Sequence, residues 1–149
     1  MRSDKRKPNP IDYGFVGDVR EVNTDILADL IARGIVPVLS PITHDGKGNL
    51  LNTNADTIAQ EAAVALAKRF DVSLIYCFEK DGVLKDENDD SSVIPLITKT
   101  DFEAYKADGT ISGGMIPKLD NAFTAISKGV KEVVITSANH ILSGGTKIK

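Results

Sequence analysis

Three times the chain runs through an amphipathic helix pattern, a short break and an apolar strand pattern. The first pass is NTDILADLIARG followed by IVPVLS. Asn23 or Thr24 is placed to cap the helix, Ile26, Leu27, Leu30 and Ile31 share a stripe, and Gly34 is the stop. The second is NADTIAQEAAVALAKRF followed by DVSLIYCF, where Ile58, Ala62, Leu66 and Phe70 fall on one face of a helical period. The third is PKLDNAFTAISKG followed by VKEVVITS, with Leu119, Ala122, Phe123 and Ile126 inward and Gly129 as the stop. Helices that alternate with strands bury their stripes by covering a sheet. The pattern therefore predicts an α/β fold, a layered αβα sandwich on a mainly parallel sheet. The run 72–78 is almost wholly apolar, as in a strand covered on both faces. Pro37 removes a ladder donor and predicts an edge or irregular pairing for the first strand.

Two insertions interrupt the alternation. Residues 41–52 (PITHDGKGNLLN) read as a hairpin around Asp45 and Gly46, and residues 81–95 as two short strands joined by an acidic loop. Both follow the C-terminal end of a strand, the side on which open α/β sheets bind ligands. No linker divides the chain. The opening MRSDKRKPNP has basic residues without an apolar stretch behind them, so residues 1–11 read as a poorly anchored lead-in to one domain spanning 12–149.

Charge and composition remove several classes of function. A net charge of −3 and a pI near 5.4 give no broad basic footprint for nucleic acid and no polybasic membrane patch. No apolar run approaches the roughly 18 residues of a membrane span. Cys77 is the single cysteine, which rules out an internal disulfide and points to a cytoplasmic setting. Its mid-strand position predicts an inert, buried thiol. His44 and His140 lack partners at metal-site spacing, DENDD lacks the calcium-loop pattern, and no metal site is expected. There is no GxxxxGK[ST] loop, and GKGNLL lacks the third glycine of a dinucleotide fingerprint.

Two polar helix entrances remain. In LLNTNADTIAQ, Asn52, Thr53, Asn54 and Asp56 crowd the start of the second helix. Thr53 to Asp56 has the shape of a capping box, yet one cap suffices for a helix, and these polar groups exceed that need. In TISGGMIPKLD, Gly113 and Gly114 leave backbone N–H groups open to close approach, and Pro117 suits a first helical turn. Lys118 stands where the positive end of the helix dipole disfavours a cation. A phosphate would satisfy both the N–H groups and the lysine. A plain glycine loop with a snorkelling lysine fits the same residues equally well.

The segments GFVGDV, IVPVLSPITHDGKGNLLNTNADTIA, CFEKDGVL, GGMIPKLDNA and GGTKIK, in this order and spacing, resemble the C-terminal half of the acetylglutamate kinase family, within the amino acid kinase superfamily. The resemblance runs from about Asp12 to Lys149. It implies ATP-dependent phosphorylation of the γ-carboxylate of N-acetyl-L-glutamate in arginine biosynthesis. Residues 12–149 would supply the ATP-binding domain of an enzyme that is a homo-oligomer when intact. Mg2+ would be carried by the nucleotide. On the same resemblance Asn52 and Asn54 bind the amino-acid substrate, Asp56 orients catalytic lysines, and Lys118 stabilises the transferring phosphoryl group. The nucleotide walls would be Glu79, Lys80, Asp81, Gly82, Val83 and Leu84 on one side and Thr110, Ile111, Ser112, Gly113, Gly114 and Met115 on the other.

Two departures qualify the match. The family often carries Asp-x-x-Gly after the second strand, whereas this chain has Glu79 at the acidic position with Lys80 beside it. The family's lysine-containing, glycine-rich first half has no counterpart upstream of Asp12, so the chain by itself is expected to be inactive. Alternatives are a non-catalytic nucleotide-binding or regulatory module, or a relative of the aspartate, glutamate, uridylate or carbamate kinases.

Overall fold

The computed structural model describes residues 1–149, which fall into two compact units, Met1–Lys68 and Arg69–Lys149. Each carries a four-stranded mixed sheet with helices packed on it. The join lies between Lys68 and Arg69, inside the last turn of the second helix pattern, where no linker composition marks it.

In the first unit the elements are β1 (Arg2–Lys5), β2 (Gly17–Glu21), α1 (Thr24–Ala32), β3 (Ile42–His44), β4 (Leu50–Asn52) and α2 (Ala55–Leu66). The sheet order is β2-β1-β3-β4. β1 runs antiparallel to β2 and parallel to β3, and β3 and β4 form the expected hairpin. Asp45 closes its turn by accepting from the Lys47 and Asn49 N–H groups. α2 packs on α1 and β2, burying Ile58, Ala62 and Ala63.

Several expectations for this unit are corrected. The lead-in is not loose, because residues 2–5 form a strand with Ser3 fully buried. Its sequence RSDK has no apolar alternation, so it joins the sheet through backbone pairing, with an ion pair from Arg20 of β2 to Asp4 at 3.2 Å. Residues 35–40 form no strand, and Val36 and Val38 are 84% and 92% exposed. An apolar β-branched run records a tendency, while a strand also needs a ladder partner. Of the α1 stripe only Leu27 is buried; Ile26 and Ile31 are exposed. Phe70 lies beyond the end of α2 and is exposed. The α2 cap is Asn54, which accepts from the Thr57 N–H at 3.1 Å. Thr53 is instead buried, donating to the Gly17 carbonyl and meeting the Thr43 hydroxyl.

In the second unit the elements are β5 (Ser73–Phe78), β6 (Leu96–Ile97), α3 (Lys99–Ala107), α4 (Met115–Ser127), β7 (Glu132–Ser137), a 3-10 turn (Ala138–His140) and β8 (Thr146–Ile148). The order is β5-β7-β8-β6, with β5 parallel to β7, β8 antiparallel to β7 and β6 parallel to β8. α4 covers β7 and β8 and meets α3, which covers β6. Phe102, Leu119, Ala122, Ala125, Val133, Ile135 and Ile148 are fully buried between these layers. Each large side chain among them contributes about 1.5–3 kcal/mol by leaving water. The rings of Phe102 and Phe123 stack at 5.5 Å between α3 and α4.

β5 is covered on one face only. Leu74 and Tyr76 are buried, whereas Ser73 and Cys77 are exposed at this edge strand. The expectation of a buried Cys77 is therefore corrected. In the insertion 81–95 the two arms meet through a bridge between Leu84 and Val93, flanked by the bonds Lys85 N–H to Ser92 O and Ile94 N–H to Val83 O. Helix α3 went unforeseen, although Thr98 and Asp101 form its capping box.

Candidate functional site

The Gly-Gly loop leads directly into α4. Gly113 takes a positive φ of 54°, a conformation that side chains disfavour, and a Cβ at either Gly113 or Gly114 would meet only open space. Gly114 is the N-cap of α4. It provides no side-chain cap, and the first turn holds no acidic residue. Within the first turn the Met115 and Ile116 N–H groups donate to the Ser112 and Gly113 carbonyls at 3.2 and 3.3 Å, and Pro117 has no N–H. The donors left toward an anion are the N–H groups of Gly113 and Gly114, backed by the positive end of the helix dipole.

Lys118 follows within the first turn and is half-buried. Its Nζ sits 3.5 Å from the centroid of the Phe78 ring at the end of β5. Past Phe78 the chain turns through 79–84. Gly82 is packed so closely there that a Cβ would come within 2.7 Å of Val93 Cγ1 and 2.8 Å of Thr146 Oγ1. The Val83 N–H donates to Thr146 Oγ1 at 2.8 Å, and that hydroxyl donates to the Ile94 carbonyl at 2.6 Å.

Between these two stretches lies a cavity of about 770 Å³ within the second unit. Of the expected walls, Glu79, Lys80, Gly82, Val83, Leu84, Thr110, Ile111, Ser112, Gly113, Gly114 and Met115 all line it, as does Lys118. Asp81 does not line it. Its carboxylate accepts from His140 instead. Lys80 pairs with Asp90 at 2.6 Å, which holds its pKa above the usual lysine value. Thr110 is fixed by its N–H donating to Asp108, whose own pKa is lowered chiefly by that bond.

Residue-by-residue reasoning missed Cys77, Phe78 and Glu87, which also line the cavity. Alternation along β5 was the available signal for Cys77, since Leu74 and Tyr76 occupy the other face. Asn52, Asn54 and Asp56 belong to the first unit. Asn52 is exposed at the end of β4, Asn54 is the exposed cap of α2, and Asp56 is half-buried in that helix's first turn. No group of three His, Cys, Asp or Glu side chains is arranged to hold a metal ion.

The cavity thus combines an uncapped helix start, a glycine loop and a lysine, a donor set matched to phosphate. Comparison with known proteins gives the family. The chain is 64% identical over 150 residues to an acetylglutamate kinase of Bacteroides thetaiotaomicron, covering 100% of this chain and 58% of that protein. It is likewise 64% identical to an acetylglutamate kinase of Parabacteroides distasonis, covering 99% of this chain and 58% of the relative. The chain therefore spans little more than half the length of these relatives. Among solved structures, smu.665 from Streptococcus mutans superposes with a TM-score of 0.78 at 33% identity, over 97% of this chain and 55% of that one. Carbamate kinase from Giardia lamblia bound to AMP-PNP shares the fold, with a TM-score of 0.65 at 18% identity over 89% of this chain and 51% of that one. The model of the amino acid kinase family matches residues 2–137, and the chain belongs to that family.

Proposed function

We propose that residues 69–149 form the nucleotide site of a kinase that transfers the γ-phosphoryl group of ATP to the γ-carboxylate of N-acetyl-L-glutamate, a step of arginine biosynthesis. The observation that carries this reading is the convergence of the 113–114 loop, the uncapped start of α4 and Lys118 on one cavity. The names of the Bacteroides thetaiotaomicron and Parabacteroides distasonis relatives support the choice of acceptor.

Phosphoryl transfer needs positioned positive charge more than covalent help. The open N–H groups at 113–114 are assigned to the phosphate chain. Lys118 is assigned to the equatorial oxygens of the transferring group, where negative charge is spread in the transition state. Mg2+ would be carried by the nucleotide and would supply neutralisation of phosphate charge; no group of protein side chains is assigned to hold it. The walls 79–84 and 110–112 orient the nucleoside. On the family's pattern Asn52 and Asn54 bind the acceptor and Asp56 orients catalytic lysines.

The chain by itself is expected to bind nucleotide without turnover. Two exposed amides do not hold an acceptor in line, and in-line positioning supplies much of the rate. The test pairs calorimetric titration of ATP and ADP with a coupled ADP-release assay on the same sample. Binding of both nucleotides without N-acetylglutamate-dependent turnover supports the reading. Acceptor-dependent turnover overturns the inactivity of the chain, and absence of binding overturns the nucleotide site.

A further inference from the structure

Asp81 is the one residue of 79–84 that turns away from the cavity, and what it turns toward is specific. His140 Nδ1 lies 2.8 Å from Asp81 Oδ1, and Ser137 Oγ lies 3.2 Å from the same nitrogen. An ionised carboxylate only accepts, so Nδ1 carries the proton and donates it to Asp81. The hydroxyl of Ser137 and the His140 ring together hold the Asp81 carboxyl below the usual carboxylate range.

His140 is itself fixed. Its carbonyl accepts from the N–H groups of Ser143 and Gly144, each at 3.1 Å, so the turn between β7 and β8 closes around it. The wall 79–84 is thereby fastened from behind at two points. Thr146 holds the Val83 N–H, and His140 with Ser137 holds the Asp81 carboxylate. Both anchors come from the end of β7 and the start of β8, while the opposite side of the wall faces the cavity.

We propose that Asp81 and His140 are a positioning pair that sets the shape of the 79–84 wall and through it the affinity for nucleotide, touching none of the nucleotide themselves. The proposal rests on the nucleotide reading of the cavity. It assigns His140, which that reading leaves without a role, and it moves Asp81 from contact to support.

The experiment is calorimetric titration of ATP into the full chain and its variants Asp81→Ala, His140→Ala and the double variant, with melting temperature measured on each. Each single variant should weaken ATP binding about fivefold, the size of a lost networked contact. The double variant should be no weaker than the worse single, because both act through one bond. His140→Asn keeps a donor near the Nδ1 position and should recover most of the affinity, which separates positioning from loss of fold. Wild-type affinity in both single variants overturns the pair, as does a lower melting temperature with affinity unchanged. Failure of the wild type to bind ATP overturns the nucleotide site and the pair's role with it.

Discussion

Lys118 Nζ and the Phe78 ring are 3.5 Å apart, with the ammonium over the ring face at the edge of the cavity. This contact explains how a lysine is tolerated in the first turn of α4. The helix dipole disfavours a cation there by about 0.3–1 kcal/mol. A cation over an aromatic face recovers about 0.5–2 kcal/mol. The two effects nearly cancel, so the charge is held there without much loss of stability.

Lys118→Ala should accordingly leave the fold in place, with a melting temperature within about 4 °C of wild type. In an intact kinase that contains this chain, the same change should lower turnover by on the order of 10²-fold or more, as for loss of a positioned transition-state donor. Turnover within about threefold of wild type, small against that range, would remove its assigned role.

Asn54 and Asp56 separate cleanly because only one of them is the cap. Asn54→Ala should destabilise the chain by about 1 kcal/mol, since the Thr57 N–H loses its acceptor. Asp56→Asn should cost little stability by chemical denaturation, yet abolish most activity in the intact enzyme. Lost stability with intact specific activity would assign Asp56 to the helix instead.

Gly82→Ala introduces a Cβ within 2.8 Å of Val93 and Thr146, with the Thr146 backbone N only 3.2 Å away. The backbone cannot swing aside as a side chain would, so the 79–84 wall must shift. The expected cost is about 1–3 kcal/mol of stability, typical of overpacking. A measured loss of ATP affinity should accompany it. An unchanged melting temperature would show that the close approach is not tight.

Acid should loosen α3. Asp101 has a pKa lowered by its bonds from the Thr98 hydroxyl and N–H, the capping box of this helix. A carboxylate depressed in the folded state stabilises it above the unfolded pKa of about 3.9, and that contribution is lost as pH falls through the lower folded value. Asp101→Asn should flatten the acid limb of the stability curve relative to wild type. Identical acid limbs would deny Asp101 a part in it.

The glycine loop and lysine proposed to meet phosphate were legible because they are local. Gly113, Gly114, Pro117 and Lys118 lie within six positions, and each has a fixed meaning at a helix start. The pairing of Asp81 with His140 was not legible, since 59 positions separate them and a sheet brings them together. β1 was hidden because RSDK carries no apolar alternation, and its place is set by the strands beside it. The run 35–40 erred the other way, with strong β-propensity and no partner in its own unit. The exposure of Cys77 followed from β5 lying at a sheet edge, which depends on strand order and not on the apolar run itself.

Cys77 also supplies the most direct test of the central claim, that nucleotide occupies the cavity bounded by 79–84 and 110–115. It is exposed, lines that cavity and is the single cysteine of the chain. The measurement is the rate of alkylation of Cys77, followed by mass spectrometry, as ATP is added. At about ten times its dissociation constant, ATP should slow the reaction about tenfold, the free fraction being set by mass action. A rate that stays the same at every ATP concentration, in a sample shown by calorimetry to bind ATP, would place the nucleotide elsewhere and contradict the account.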